Sequence, residues 1–194
     1  MKRNVFLPND RTQLKWINEP SSWKFNEQDQ LVIDAPAKAD FFCDPAGQHF
    51  ANSAPFLYLE LDQSFELTTE LTVNMKEKYD SGCLMIMIDA NNWAKLCYEF
   101  NGKHASIVTV VTRDGVSDDC YSEQVYSDHP FLKMTSNNKV IHFYFSEDGI
   151  DWTMIRYFAL PSKQQAVKAG VVAQSPQGPG CHMTFCQLQL ETVN

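Results

Sequence analysis

The chain has 194 residues, a length that suits one generous domain or two small ones. Hydrophobic residues make up 44% and charged residues 21%, a globular composition that excludes a disordered chain. The formal net charge is −8 and the lysines and arginines are scattered, so a phosphate backbone would be repelled and we expect no nucleic-acid partner.

The N-terminal stretch contains two basic residues but no apolar run long enough for a signal peptide, because Asn4, Pro8 and Asp10 interrupt it. No later stretch approaches the length that spans a membrane. We therefore expect a cytoplasmic protein with no membrane partner. In that compartment the six cysteines are expected to be free thiols.

Alternation of apolar and polar residues, the pattern of half-buried strands, recurs along the chain, and no sustained helical periodicity appears. The segment 34–55 is less regular and is predicted to form loops around one short strand. In FELTTELTVNM, residues 65–75, the odd-numbered side chains are predicted to form the buried face of a strand, and the even-numbered side chains are predicted to face solvent. Further strands are predicted at 104–113, 139–146, 152–160, 166–174 and 181–191.

Turn signals separate these strands. Asn101-Gly102 is a strong hairpin signal, and Asp148-Gly149 predicts a tight turn whose role is structural, not that of a calcium or sugar-binding loop. Many short strands joined by such turns predict an all-β fold, an antiparallel sandwich or barrel. With no linker or repeat in the sequence, residues 1–194 are expected to form a single domain.

The middle of the chain resembles a known family. The run YDSGCLMIMIDANNWAKLCYEFNG, residues 79–102, is similar to the signature of the DUF1349 family, and VTRDGVSDD, residues 111–119, to a second segment of it. The resemblance implies a concanavalin A-like jelly-roll sandwich of two curved antiparallel sheets, the fold of lectins and glucanases. Some relatives are labelled regulators of enolase, and similar domains are appended to glycoside hydrolases. A fold shared so widely does not imply a reaction.

The strand NWAKLCYEF, residues 92–100, carries the candidate site. Its even-numbered side chains are apolar and belong between the sheets, whereas its odd-numbered ones should line a concave outer face. The hairpin at Asn101-Gly102 could bring the next strand's arginine alongside, and the ADFF stretch could add to the rim. The candidate ligand-binding residues are Trp93, Lys95, Glu99, Arg113, Asp40 and Phe42.

These residues favour a binding module that is not an enzyme and that holds a carbohydrate or a similar polar small molecule. A tryptophan offers a plate for a sugar ring, and charged groups bind its hydroxyls. The same charges could instead form only a structural ion-pair network. A second alternative is a protein-interaction module of the enolase-regulator type, with a protein partner.

A third and weaker alternative is a glycoside hydrolase. Hydrolysis needs two facing carboxyl groups, and Asp40 is the one partner we propose for Glu99. No cofactor or metal is expected, because His182 and Cys186 stand four apart on a strand and the other histidines form no close cluster. The sequence leaves the oligomeric state open.

Overall fold

The computed structural model of the chain describes residues 2–137, 140–161 and 166–193. These residues form short and long strands and one 3-10 turn, Arg11–Gln13. The strands are β1 (Lys2–Asn4), β2 (Lys15–Ile17), β3 (Trp23–Phe25), β4 (Leu31–Pro36), β5 (Phe41–Cys43), β6 (Phe50–Asn52), β7 (Phe56–Leu61), β8 (Ser64–Val73), β9 (Ser81–Asp89), β10 (Asn92–Phe100), β11 (Ala105–Arg113), β12 (Val116–Gln124), β13 (Phe131–Ser136), β14 (Ile141–Ser146), β15 (Thr153–Phe158), β16 (Val167–Gln174) and β17 (Gly180–Val193).

Two large antiparallel sheets face each other. Sheet I has the order β15-β14-β13-β8-β17-β4-β3. In addition, β1 pairs with a segment of β17 that follows the segment paired with β4. Sheet II has the order β12-β11-β10-β9-β16-β7-β2. A separate hairpin, β5–β6, pairs only with itself among the described residues. The expected jelly-roll sandwich of two antiparallel sheets is thus the observed fold.

The main core lies between the sheets and is built by alternation. On β8, Phe65, Leu67 and Leu71 are at most 2% exposed and face inward. On β10, Leu96 and Tyr98 face the same core from the opposite sheet. Burying a large apolar side chain stabilises a fold by about 1.5–3 kcal/mol, so these inward rows fix which face of each strand is inside.

The segment 34–55 is more regular than expected. It contains the end of β4 and a hairpin of two short strands, closed by a backbone hydrogen bond of 2.9 Å from Asp44 to the carbonyl of His49. Phe41 and Cys43 are buried and Phe42 between them is half-buried, so side-chain burial alternates even in this three-residue strand. The buried pair lies against sheet II, and the hairpin therefore covers part of that sheet's outer face.

The predicted turn at Asp148-Gly149 is a tight structural turn. The Asp148 carboxylate accepts hydrogen bonds from the backbone of Ile150 at 2.8 Å and of Asp151 at 3.0 Å, and these bonds lower the pKa of Asp148. Gly149 has φ of +76°, a conformation that glycine adopts without strain. The adjoining strand β14 begins at Ile141, and Lys139, the first residue of its predicted range, lies outside the described residues. Across the described part of the chain, no helix is both long and apolar enough to pass through a membrane.

Candidate functional site

The outer face of sheet II carries the odd-numbered side chains of β10. Ala94, Leu96 and Tyr98 pack into the core between the sheets, so Trp93 and Lys95 project the other way, as the alternation predicts. Strand pairing widens this face in both directions. Lys95 stands opposite Val110 and Met85, and Glu99 opposite Ser106 and Ser81.

Trp93 is on the expected face but is not open to solvent. Its side chain is 1% exposed because the β5–β6 hairpin folds over it, and the rings of Phe41 and Trp93 meet edge to face at 5.9 Å. Met85 and Phe56 belong to the same apolar cluster, which lies on the outer face of sheet II. The interpretation of Trp93 as an open plate for a sugar ring is therefore wrong, and its role is to hold the hairpin on the sheet.

Arg113 is not part of the groove. The register pairs Trp93 with Thr112, so Thr112 shares the outer face and Arg113 points to the opposite side. The guanidinium of Arg113 is exposed, and its Nε donates a hydrogen bond of 3.2 Å to the carbonyl of Ala159. The predicted approach of Arg113 to Trp93 or Lys95 is wrong because one residue of register reverses the face.

The other four predicted residues line one cavity of about 380 Å³ beside the hairpin. We call this cavity the concave-face pocket. Its floor comes from β10, and its walls from the hairpin, β12 and the turn that follows β16. The lining residues are Asp40, Phe42, His49, Tyr79, Lys95, Glu99, Val110, Asp119, Gln174, Pro176 and Gln177.

Lys95 is the buried cation of the pocket and has two partners. Its Nζ lies 3.4 Å from Oδ1 of Asp40 and donates a hydrogen bond of 2.9 Å to Oε1 of Gln174. Gln174 in turn donates from Nε2 to the same Asp40 oxygen at 2.8 Å. Burial is the largest single influence and acts to lower the pKa of Lys95, but the Asp40 carboxylate and the smaller contributions of its other acidic neighbours together raise it, so the ammonium stays charged.

Glu99 differs from an ordinary surface glutamate in its burial and in its pKa. It is 6% exposed, and its carboxyl group has no hydrogen-bond partner among the described residues. Burial, reinforced by Asp119 and Asp40 and opposed by Lys95, raises the pKa of Glu99 to about 8. The carboxyl group is therefore mostly neutral at pH 7 and can both donate and accept a hydrogen bond inside the pocket.

Cys97 lies between Lys95 and Glu99 on the same face, directly opposite Cys83 on β9. The two sulfur atoms are 2.7 Å apart and both residues are fully buried. Burial raises the pKa of Cys97 well above its ordinary value, so the thiol is protonated at neutral pH. A protonated, inaccessible thiol is a poor nucleophile, and Cys97 supports the pocket floor instead.

Several lining residues are not predicted from the sequence. Asp119 joins the pocket because β12 places it opposite Val110, which itself faces Lys95. Asp119 remains exposed at the rim, and partial desolvation by its neighbours raises its pKa, with Lys95 acting in the opposite direction. Gln174 reaches Lys95 because β16 pairs with β9, a neighbour far away in sequence. A strand register would have indicated Asp119, whereas Gln174 requires the strand order.

The fold is shared with lectin-like domains and with portions of GH43 proteins. A functionally unknown protein from Saccharomyces cerevisiae superimposes with a TM-score of 0.86 at 24% identity, covering 94% of this chain and 98% of that one. A legume lectin-like domain from Entamoeba histolytica gives 0.64 at 14% identity, covering 97% and 94%. The GH43 protein BlXynB from Bacillus licheniformis gives 0.76 at 16% identity, and 93% of this chain corresponds to 37% of that protein.

At these identities the likeness concerns the fold alone. No protein with a curated description matches the chain significantly. The model of one protein family, described as "Protein of unknown function (DUF1349)", matches residues 16–193. The match spans both sheets and every residue of the concave-face pocket. The chain belongs to the DUF1349 family.

Proposed function

We propose that the protein is a binding module that holds a carbohydrate or a similar hydroxyl-rich small molecule in the concave-face pocket, without chemical turnover. The observation that carries the proposal is Glu99, a buried neutral carboxyl group that faces the cavity without a partner. The carboxyl group lines the cavity, so a ligand hydroxyl that enters can pair with it as donor or acceptor.

The charges around the pocket favour an uncharged ligand. Asp40 and Asp119 contribute carboxyl groups, and the buried cation Lys95 is already paired with Asp40. A phosphate or carboxylate ligand would meet these acids, whereas hydroxyl groups can donate to carboxylates and accept from Lys95 or from neutral Glu99. The cavity of about 380 Å³ lies at the small end of ligand pockets and suits one or two sugar rings.

The similarity to a legume lectin-like domain and to GH43 proteins supports a carbohydrate over other hydroxylated ligands. The aromatic contact would come from Phe42, which is half-buried at the pocket wall, because Trp93 is covered. Phe42 and Asp40 both come from the hairpin segment and so place recognition on the element that also closes the site.

The test is a panel of monosaccharides and short oligosaccharides, followed by calorimetric titration of the best ligand. Glu99→Leu removes both the donor and the acceptor and should weaken binding at least tenfold. Glu99→Gln retains a neutral donor and acceptor and should bind within a few-fold of the native protein. Arg113→Gln, on the opposite face of the same sheet, is the control and should leave binding unchanged.

The pH dependence of the affinity tests whether the neutral carboxyl group of Glu99 takes part in binding. Native affinity should fall as the pH rises through about 8, because the carboxyl group loses the proton that it donates. The affinity of Glu99→Gln should stay constant over the same range. Equal binding by Glu99→Leu and the native protein, no response to any sugar of the panel, or hydrolysis of a bound glycoside would each contradict the proposal.

A further inference from the structure

Three metal-ligating side chains converge on the outer face of sheet I, away from the concave-face pocket. Glu70 comes from β8, His129 from the loop between β12 and β13, and Cys186 from β17. Their ligand atoms all lie within 4.8 Å of one another. We propose that Glu70, His129 and Cys186 form a surface site for Zn²⁺, with a fourth position left to water.

A β-bulge places the cysteine in this cluster. Phe185 of β17 pairs with Leu71 of β8, but the next pair is Gln187 with Glu70, so Cys186 is an extra residue at this point of the strand. The bulge turns its half-buried side chain beside Glu70. In the described part of the chain the Cys186 sulfur forms no hydrogen bond, so the thiol is available as a ligand. Bulges commonly serve to redirect one side chain in this way.

The loop that carries His129 is fixed on both sides. The backbone of Ser127 donates to the Glu147 carboxylate at 2.8 Å, and His129 donates from its own backbone to the Ser127 hydroxyl at 3.0 Å. On the other side, Leu71 donates to the carbonyl of Pro130 at 3.2 Å. The backbone that carries the imidazole is thus fixed beside Glu70 and Cys186, so ion binding needs to order only the His129 side chain and not the loop.

The chemical types of these three side chains favour Zn²⁺ over Mg²⁺ and Ca²⁺. A thiolate, an imidazole and a carboxylate are together the ligands of Zn²⁺, whereas Mg²⁺ and Ca²⁺ prefer oxygen ligands alone. Nδ1 of His129 lies 3.8 Å from Oε1 of Glu70, too far for a hydrogen bond, so neither group satisfies the other. In a tetrahedral zinc site the ligand atoms stand roughly 3.5 Å apart, so the side chains need to close by about 1 Å.

Cobalt substitution provides the experiment, because Co²⁺ occupies zinc sites and a cysteine thiolate bound to it gives a near-ultraviolet charge-transfer band. The native chain, reduced and treated with chelator, should bind one Co²⁺ with this band, and Zn²⁺ should displace it. Cys186→Ser should abolish the band and weaken Co²⁺ binding at least tenfold. His129→Gln should also weaken Co²⁺ binding at least tenfold. Cys120→Ser, which removes the exposed cysteine of β12, should bind as the native chain does.

A second measurement guards against loss of folding. Zn²⁺ should raise the melting temperature of the native chain and of Cys120→Ser but not that of His129→Gln, whose exposed imidazole can be replaced without disturbing the core. Absence of stoichiometric binding, a charge-transfer band that persists in Cys186→Ser, or equal zinc stabilisation of His129→Gln would overturn the proposal.

Discussion

Glu99 shows how one side chain acquires a chemistry that its residue type does not normally have. Its strand is held in place by Leu96 and Tyr98, which are buried between the sheets. Alternation then fixes Glu99 on the outer face, where the hairpin and β12 remove most of its contact with water. A glutamate in solution is an anion at pH 7, but this one is mostly a neutral acid because burial penalises its charge.

The raised pKa makes a prediction for stability. The folded protein retains the Glu99 proton up to about pH 8, whereas the unfolded chain releases it near its ordinary value of 4.5. Folding therefore takes up a proton in this window, and the stability of the native protein falls as the pH rises from 4.5 to about 8. Glu99→Gln has no such proton, so the stability difference between this variant and the native protein should shift in favour of the variant by about 5 kcal/mol as the pH rises across the window.

Urea unfolding at a series of pH values measures this difference. Glu123→Gln, at an exposed glutamate of β12, is the control and should follow the native pH profile. A constant stability difference between Glu99→Gln and the native protein over the whole window would show that Glu99 is ionised in the folded state.

Four of the six candidate site residues lie in one pocket, and the reasons for success and failure are physical. Lys95 and Glu99 follow from alternation on one strand, which the sequence displays directly. Trp93 obeys the same alternation, but its covering by the hairpin depends on a tertiary contact with Phe41. Arg113 depends on register across a hairpin, and an error of one residue there reverses the face.

At the scale of elements, length decides what the sequence can reveal. The nine-residue strands β10 and β11 display several alternations each and are predicted from sequence. The three-residue strands β1, β2, β3, β5 and β6 display one alternation at most, too few to separate from a loop. The element that shapes the site, the β5–β6 hairpin, belongs to this second group.

Trp93→Ala tests how the hairpin is attached to sheet II. Removing this fully buried ring should destabilise the protein by about 3–5 kcal/mol, because the cavity left against Phe41 and Met85 cannot fill. Trp152→Ala is the matched control, since that half-buried ring lies on the surface with Lys133 4.0 Å above it, and its loss should cost distinctly less. Denaturant unfolding followed by circular dichroism compares the two; equal small losses would mean that Trp93 does not anchor the hairpin.

At the scale of the whole molecule, the alternation and turn signals predict a sandwich but not its strand order. The C-terminal strand β17 lies between β8 and β4 and also pairs with β1. Such pairings join segments far apart in sequence, and local patterns carry no information about them. The pocket contact of Gln174 depends on the pairing of β16 with β9, and the convergence of Glu70 with Cys186 on the pairing of β17 with β8, so neither could be predicted from the sequence.

If residues 1–194 form a single domain, as the sequence predicts, the chain should unfold as one unit. Residues of both sheets contribute to the same core cluster, so we expect far-ultraviolet and near-ultraviolet circular dichroism to report one coincident transition in urea. Two separated midpoints would show instead that part of the chain, such as the N-terminal strands or the β5–β6 hairpin, unfolds independently.

The β5–β6 hairpin also governs the size of what can enter. It crosses the outer face of sheet II and separates the concave-face pocket from a second hollow of about 360 Å³ on its far side, where Phe50 and Lys168 stand. A long glycan strand laid along the sheet would collide with this partition. If the protein binds carbohydrate as proposed, it should therefore prefer chain ends or small free sugars to internal stretches of a polymer.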